Sequence, residues 1–530
     1  MRRFVGVFSL LSAAVGCGSS GGGTLAAQAT PRRAPRLVLF LTVDQLRPDY
    51  FAHFEAQLNG GLARLWRGGA VFLNGFQDHG NTETAPGHAS TMSGRFPRGT
   101  GIVANSAGVD DANAPLIGDP GTGASPHRFR GTVLFDWMQA KTGTARALSV
   151  SRKDRGAILP LGKARQHVYW YSGARFTTST YYRDSLESWV DEFNNRRLPQ
   201  RFAGATWDLL LPPASYPEPD SVTTESIGRN FLFPHDFPAD SARAAATVQE
   251  TPMMDDITLQ FALAGLQALS LGTTDGVTDL LAISLSSTDA VGHRFGPDSR
   301  ELHDQIVRLD RYLGAFLDSL FKLRDSTQIV IALTADHGVT PVPGSKSRYP
   351  NAGAGFVDLA PALRTFFMPL RAQGIDASVI DYSIDMLFIN RAAVTARGLK
   401  PDSLARAFAA LVSAVPGVQR ADLVSELARK DTTRDYVARR WIHMLPPDLP
   451  AVVTVTLKPY WLWAGIPIAT HGSPHDTDAN VPVIFWGAGV KPGRYNRVVR
   501  VVDMGPTLAA ILGVQPLEPL DGRVIREAMR

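Results

Sequence analysis

The 530-residue chain contains a single cysteine, Cys17, which excludes an internal disulfide as a source of stability. Packing, and metal where ligands gather, has to supply it instead. Charge of one sign is also scarce. The formal net charge is +5, and two of those charges, Arg2 and Arg3, lie in a segment expected to be removed. So small and dispersed an excess argues against a nucleic-acid partner. There is no internal repeat. The apolar run at residues 4–16 falls short of the roughly 20 residues that a membrane span requires. What remains, 44% hydrophobic and 19% charged residues, describes an ordinary globular protein, not a disordered or fibrous one.

The N-terminus carries the one targeting signal. A basic start, Met1-Arg2-Arg3, precedes the apolar run. Ala14-Val15-Gly16-Cys17 then resembles a bacterial lipoprotein cleavage site, with Ala where Leu is more usual. Residues 1–17 are thus expected to be a signal peptide ending in a lipobox, with membrane attachment through lipidated Cys17. Cleavage near Ala27-Gln28-Ala29 is the competing reading and discards Cys17. Both predict export, to the periplasm or to attachment at the outer membrane. Residues 18–35, rich in Gly, Ala and Pro, read as a flexible linker.

Order is expected over residues 36–530. Runs apolar on both faces at 37–43, 145–150, 280–286, 328–333 and 481–486 have strand length and belong in a covered sheet. Helical patterns at 132–141, 299–322 and 504–512 alternate with them. This predicts an α/β fold: a mostly parallel central sheet with helices on both faces. Residues 161–254 and 344–450 break the rhythm and read as insertions capping the site. The basic cluster at 434–440 reads as a solvated face.

In such sheets, ligands bind beyond the C-terminal strand ends. Asp44, Asp289 and Asp336 lie at or just past such ends. Asp289 and His293, four residues apart, face the same way on a helical turn. Asp336 and His337 are adjacent, with Gly338 allowing a sharp turn, and His471 precedes the last core strand. Thr84, with small polar residues before it and Pro86 two positions on, reads as a helix N-cap whose hydroxyl and free N–H groups suit an anion. Each fragment alone is as well read as a cap or a satisfied polar group; together they mark one edge of one sheet. His475 is expected to be a loop or supporting residue.

The fragments Thr-Val-Asp44, Thr84-Ala-Pro-Gly-His, Asp289-Ala-Val-Gly-His293, Thr-Ala-Asp336-His337-Gly and Thr-His471-Gly-Ser-Pro, with Val502-Asp503-Met504-Gly505-Pro506-Thr507 near the end, resemble the ordered motifs of the alkaline phosphatase superfamily. The resemblance implies two Zn²⁺ ions. Asp44, Asp336, His337 and the Thr84 oxygen would hold one; Asp289, His293 and His471 would hold the other. Mixed imidazole and carboxylate ligands suit catalytic zinc, and two ions about 4 Å apart clamp the attacking and leaving oxygens of an in-line displacement. Thr84 would be the nucleophile and would pass through phosphothreonine.

Lys153 and Arg155 follow an apolar strand on alternate positions, so they can face the same way. Two cations there favour the dianionic phosphoryl group of a monoester over a diester. The stretch resembles the Lys-x-Arg element of phosphate-irrepressible alkaline phosphatases, and Asn105 matches the family's asparagine donor to a phosphoryl oxygen. The expectation is a phosphomonoesterase acting on small-molecule phosphate monoesters and releasing inorganic phosphate. A sulfatase would need Cys or Ser at position 84, and the serine-type phosphatases need Asp-Ser-Ala there. A nucleotide pyrophosphatase/phosphodiesterase shares Thr84, Asn105 and the metal ligands and is the main alternative. A lipid-anchored metal- or phosphate-binding protein without turnover is a third. Oligomeric state is left open.

Overall fold

The computed structural model describes residues 35–345, 353–465 and 468–530; Cys17, the leader and the linker up to residue 34 lie outside them. Its organising strand is β1 (Leu37–Val43), whose seven residues are all buried. A strand with no polar face is stable only when both sides are covered and both edges are paired. β1 accordingly lies in the middle of a nine-stranded sheet.

In chain order the other strands are β2 (Ala70–Phe76), β3 (Ala147–Ser151), β4 (His167–Ser172), β5 (Arg175–Thr177), β6 (Asp279–Leu285), β7 (Ile329–Thr334), β12 (Asn480–Gly487) and β13 (Gly493–Arg500). Their spatial order is β13-β2-β12-β7-β1-β6-β3-β4-β5. β7, β1, β6, β3 and β4 run parallel. β12 is antiparallel to both its neighbours, and β5 is antiparallel to β4. The sheet is therefore mixed but mostly parallel.

The register decides where chemistry gathers. Val43 pairs with Leu285 on one side, and Thr42 with Thr334 on the other. The residues that follow these three strands therefore emerge side by side.

Six of the helices around this sheet are α1 (Thr84–Thr91), α2 (Leu134–Thr142), α3 (Asp154–Ile158), α4 (Met253–Ala268), α5 (Ser287–Phe295) and α6 (Arg300–Leu323). Of these, α1, α3 and α5 are the first after the strands β2, β3 and β6. α6 shows why such segments are helical. Leu302, Ile306, Leu309, Leu313, Phe316, Leu317 and Leu320 recur every three or four residues and are buried, while the Ser299 side chain caps the start by accepting from Leu302 N–H.

The two regions that break the rhythm differ in kind. Residues 161–254 begin by adding β4 and β5 to the sheet edge. The later region builds a second, antiparallel sheet of β8 (Ile380–Ser383), β9 (Met386–Ile389), β10 (Val418–Leu423) and β11 (Ala451–Leu457), ordered β8-β9-β11-β10. α7 (Pro401–Ser413) packs on it, around a separate apolar core that includes Ile380, Leu387, Phe408 and Val453.

The basic cluster at 434–440 is not a solvated face throughout. It runs into α8 (Tyr436–Met444), where Arg440 is only 2% exposed. Arg439, Arg440 and Arg500 all hydrogen-bond the buried carboxylate of Asp78 in the loop after β2. A buried acid recruited the charges, which composition alone does not reveal. Among the described residues no helix is long and apolar enough to cross a membrane.

Candidate active site

Four parallel strands end at one edge, and each delivers a polar residue there. Asp44 follows β1, Lys153 follows β3, Asp289 and His293 stand on α5 after β6, and Asp336 and His337 follow β7. Thr84 arrives from β2 and His471 from the loop before β12. Asp44, Thr84, Asp289, Asp336 and His337 are buried. Lys153 Nζ lies 2.5 Å from Asp44 Oδ2, 2.6 Å from Asp289 Oδ2 and 3.5 Å from Thr84 Oγ1. His337 Nε2 lies 3.4 Å from Thr84 Oγ1, 3.3 Å from Asp44 Oδ1 and 3.5 Å from Asp336 Oδ2. His293 Nε2 and His471 Nε2 are 3.0 Å and 3.7 Å from Asp289 Oδ1.

Three carboxylates so close together raise one another's cost of ionisation. Burial, and then the charges of Asp289 and Asp336, push Asp44 up to about 6 despite Lys153 and His337. Burial also opposes the charge of Asp289, but Lys153 and His293 outweigh it and hold that carboxyl well below its usual range. Asp336 is likewise depressed, burial being overcome by His337 and His88. Burial, then the neighbouring rings of His337 and His293, pushes His471 well below the ordinary imidazole value.

The donor chemistry fits divalent cations. The oxygens of Asp44 and Oδ2 of Asp336 are buried and, among the described residues, meet only the Lys153 ammonium and imidazole nitrogens. The three imidazoles share one device. Nδ1 of His293, His337 and His471 lies 2.7, 2.9 and 2.8 Å from the carbonyls of Ala469, Gly338 and Thr82. A carbonyl only accepts, so each ring donates from Nδ1, and Nε2 is the atom that faces the carboxylates and would bind a metal once it gives up any proton it carries. The donor atoms of Asp44, Asp336 and His337 lie within 4.8 Å of one another, as do those of Asp289, His337 and His471. His337 thus reaches both groups, and its ring stacks on His471 with centroids 3.4 Å apart.

Two sequence readings need correction. Thr84 is the first helical residue, not the cap: Glu83, with extended backbone, holds that position, and no side chain caps the helix. The Thr84 hydroxyl is turned to Lys153 and His337 instead. Lys153 and Arg155 do not sit on alternate strand positions, because β3 ends at Ser151 and Lys153 is the N-cap of α3. Lys153 points among the carboxylates. Arg155 Nη1 is 3.6 Å from Asp154, and its buried Nε has no hydrogen-bond partner. Asn105 is fixed against Thr84: its Oδ1 accepts from Ala85 N–H at 2.9 Å, and its own N–H donates to Glu83 at 2.6 Å.

Gln45 and His88 were not singled out by sequence. Gln45 adopts φ 65°, rare for a non-glycine residue. Its N–H donates to Asp336 Oδ1 at 3.2 Å, and its Nε2 donates to Asp289 Oδ1 at 2.9 Å. His88, one turn beyond Thr84, lies 3.2 Å from Asp336 Oδ2 and 2.9 Å from Ser284 Oγ. The available signal was glycine spacing. A Cβ on Gly292 would collide with the Gln45 side chain, and one on Gly87 with the Asp336 carbonyl. The Asp503 segment lies away from this constellation, its carboxylate accepting from the N–H groups of Arg500 and Arg523.

The chain is similar to known proteins over most of its length. The profile of the type I phosphodiesterase / nucleotide pyrophosphatase family matches residues 38–464. Alkaline phosphatase PhoV of Synechococcus elongatus is 31% identical over 94% of this chain and 93% of its own length. Alkaline phosphatase PhoK of Sphingomonas sp. is 30% identical over 94% of this chain and 91% of its own. The crystal structure of wild-type alkaline phosphatase PafA superposes with a TM-score of 0.86 at 28% identity, covering 95% of this chain and all of that one; the PafA of Elizabethkingia meningoseptica is likewise 28% identical, over 96% of this chain and 97% of its own. With its fold and nearly its full length shared with these proteins, the chain belongs to the type I phosphodiesterase / nucleotide pyrophosphatase family of the alkaline phosphatase superfamily.

Proposed function

We propose that the protein is a two-zinc phosphomonoesterase that hydrolyses small-molecule phosphate monoesters through a phosphothreonine on Thr84. The observation that carries this reading is the Thr84 hydroxyl, 3.5 Å from the Lys153 ammonium and 3.4 Å from His337 Nε2, beside three buried carboxylates. A purely structural threonine has no use for such neighbours.

Asp44, Asp336, His337 and Thr84 would hold one ion, and Asp289, His293 and His471 the other. When bound, the ions supply Lewis-acid stabilisation of the attacking and leaving oxygens. In the first step Thr84 Oγ1 forms a bond to phosphorus as the ester P–O bond breaks and the alcohol departs. Water then cleaves the phosphothreonine, restoring the hydroxyl and releasing inorganic phosphate. Lys153 neutralises the dianionic phosphoryl group, the Asn105 amide donates to it, and Arg155 adds a second cation near the mouth.

Several relatives that match over nearly the whole chain carry the name alkaline phosphatase. A solved PafA variant has a Thr, an Asn, a Lys and an Arg replaced together. The spacing from Thr to Asn, and from Lys to Arg, equals that from Thr84 to Asn105 and from Lys153 to Arg155. The family description favours a second reading, phosphodiester hydrolysis at the same site.

Rates on p-nitrophenyl phosphate and bis-p-nitrophenyl phosphate separate the two. A clear preference for the monoester is expected; a preference for the diester defeats the proposal. Thr84→Ala should lower monoester turnover by on the order of 10³-fold without unfolding the protein. Export and lipid attachment through Cys17 belong to the proposal as well. Mass spectrometry of the mature N-terminus tests them, and an unmodified N-terminus beyond residue 17 rules the lipid out.

A further inference from the structure

One arginine from the inserted region connects the two loops that meet at the site. The guanidinium of Arg440 on α8 lies between the rings of Tyr436 and Phe76, 5.1 and 5.2 Å from their centroids. It donates to Asp78 Oδ1 at 3.2 Å and to the Pro474 carbonyl at 2.6 Å, and it lies 2.8 Å from Asp476 Oδ1. Asp78 stands in the loop that runs from β2 to Thr84. Pro474 stands three residues after His471.

Those loops are joined again at Thr82. Its carbonyl faces His471 Nδ1, its hydroxyl donates to the Ser473 carbonyl at 2.8 Å, and Gly472 N–H donates to that hydroxyl at 3.2 Å. The inserted region pins the His471 loop a second time through His475, whose Nε2 is 2.7 Å from the Leu457 carbonyl and whose Nδ1 is 3.0 Å from the Tyr436 hydroxyl.

We propose that Arg440 is a positioning residue for His471, so that α8 sets how tightly the cation position built from Asp289, His293 and His471 holds its ion. This rests on the reading that those residues bind a divalent cation. The charge of Asp78 does not need Arg440, since Arg439 and Arg500 also donate to it and His443 lies 3.4 Å from Oδ2. What Arg440 supplies, and Arg439 and Arg500 do not, is the pair of contacts to the loop after His471, the Pro474 carbonyl and the Asp476 carboxylate. Without them, the loop keeps its bonds at Thr470, Thr82, Ser473 and His475 but loses this tie to α8 just after His471, and the direction of the His471 Nε2 atom is less well defined. Ligand orientation by such outer contacts typically changes metal affinity about 10- to 100-fold.

The test compares Arg440→Lys, Arg440→Gln and Arg439→Gln with the wild type. Zinc is titrated against a chromophoric chelator, and denaturation midpoints are measured with and without zinc. In both Arg440 variants one zinc should bind as in the wild type and the other about 10-fold or more weakly. The zinc-free midpoint of Arg440→Lys should stay near that of the wild type, and excess zinc should restore its turnover. Arg439→Gln, which touches the same carboxylate but not Pro474, should leave both zinc affinities unchanged. Unchanged zinc affinities in both Arg440 variants overturn the proposal, as does equal weakening in Arg439→Gln. A wild-type protein that binds no zinc removes the metal centre itself, a different failure visible before any variant is made.

Discussion

Two groups of buried carboxylates lie at the ends of strands in this molecule, and their surroundings are opposite. Asp78 is enclosed by Arg439, Arg440 and Arg500, so protein cations compensate its charge. Asp44, Asp289 and Asp336 have, among the described residues, one ammonium, Lys153, together with the Nε2 atoms of His293, His337 and His471. A buried charge left uncompensated costs several kcal/mol. The first arrangement is complete in itself and ties the inserted region to the sheet. The second is suited to an external cation. Burial of acids therefore does not identify a metal site; the identity of the nearest donors does.

Chelation gives the largest expected contrast. Dipicolinate should abolish phosphatase turnover, by at least about 10³-fold, and zinc should restore it, while far-UV circular dichroism stays unchanged because the Asp78 cluster needs no metal. Loss of secondary structure on chelation would break the comparison. Next in size, Asp78→Ala should lower unfolding free energy by about 3–5 kcal/mol, since it removes the buried carboxylate that Arg439, Arg440 and Arg500 share; denaturant midpoints measure this. Lys153→Ala should then reduce monoester turnover by about 10²-fold and diester turnover far less. Equal losses would mean that Lys153 serves the carboxylates and not the substrate.

The smallest effect concerns pH. Burial opposes the charge of Asp78, but hydrogen bonds from His443 and Arg439 and the charge of Arg440 hold its carboxyl far below the ordinary range. Its folded pKa is lowered, so its stabilisation is complete above the unfolded value near 4 and is lost as pH falls below that. Comparing midpoints at pH 3, 4 and 7, Asp78→Asn should remove up to about 1.4 kcal/mol per pH unit from the acid-side slope and alter nothing between pH 5 and 7.

Much of this was legible in the sequence because parallel strands are apolar on both faces. The run at 37–43 is β1, and the helix expected at 504–512 is Met504–Leu512. Asp44, Asp289 and Asp336 were legible because they come within a few residues of those strand ends. Ala70–Phe76 and Gly493–Arg500 went unread. The first has Leu73 exposed and Asn74 half-buried, and the second is an edge strand with Arg494, Arg497 and Arg500 among its residues, so neither shows the covered-strand pattern. Gln45 was missed because its part depends on a left-handed backbone after Asp44, and Arg440 because its acid partner is more than 300 positions away.

The topology also fixes an order of events. The cage takes its first carboxylate from position 44 and its last imidazole from position 471, with the whole second sheet threaded between them. A chain emerging from its N-terminus, whether from a ribosome or through a translocation channel, presents Asp44 and Thr84 long before His471 is available to close the ring. On the proposed reading, cation capture would be postponed until nearly all of the polypeptide has arrived, and the metal taken up would be the one present where the final sixty residues are released.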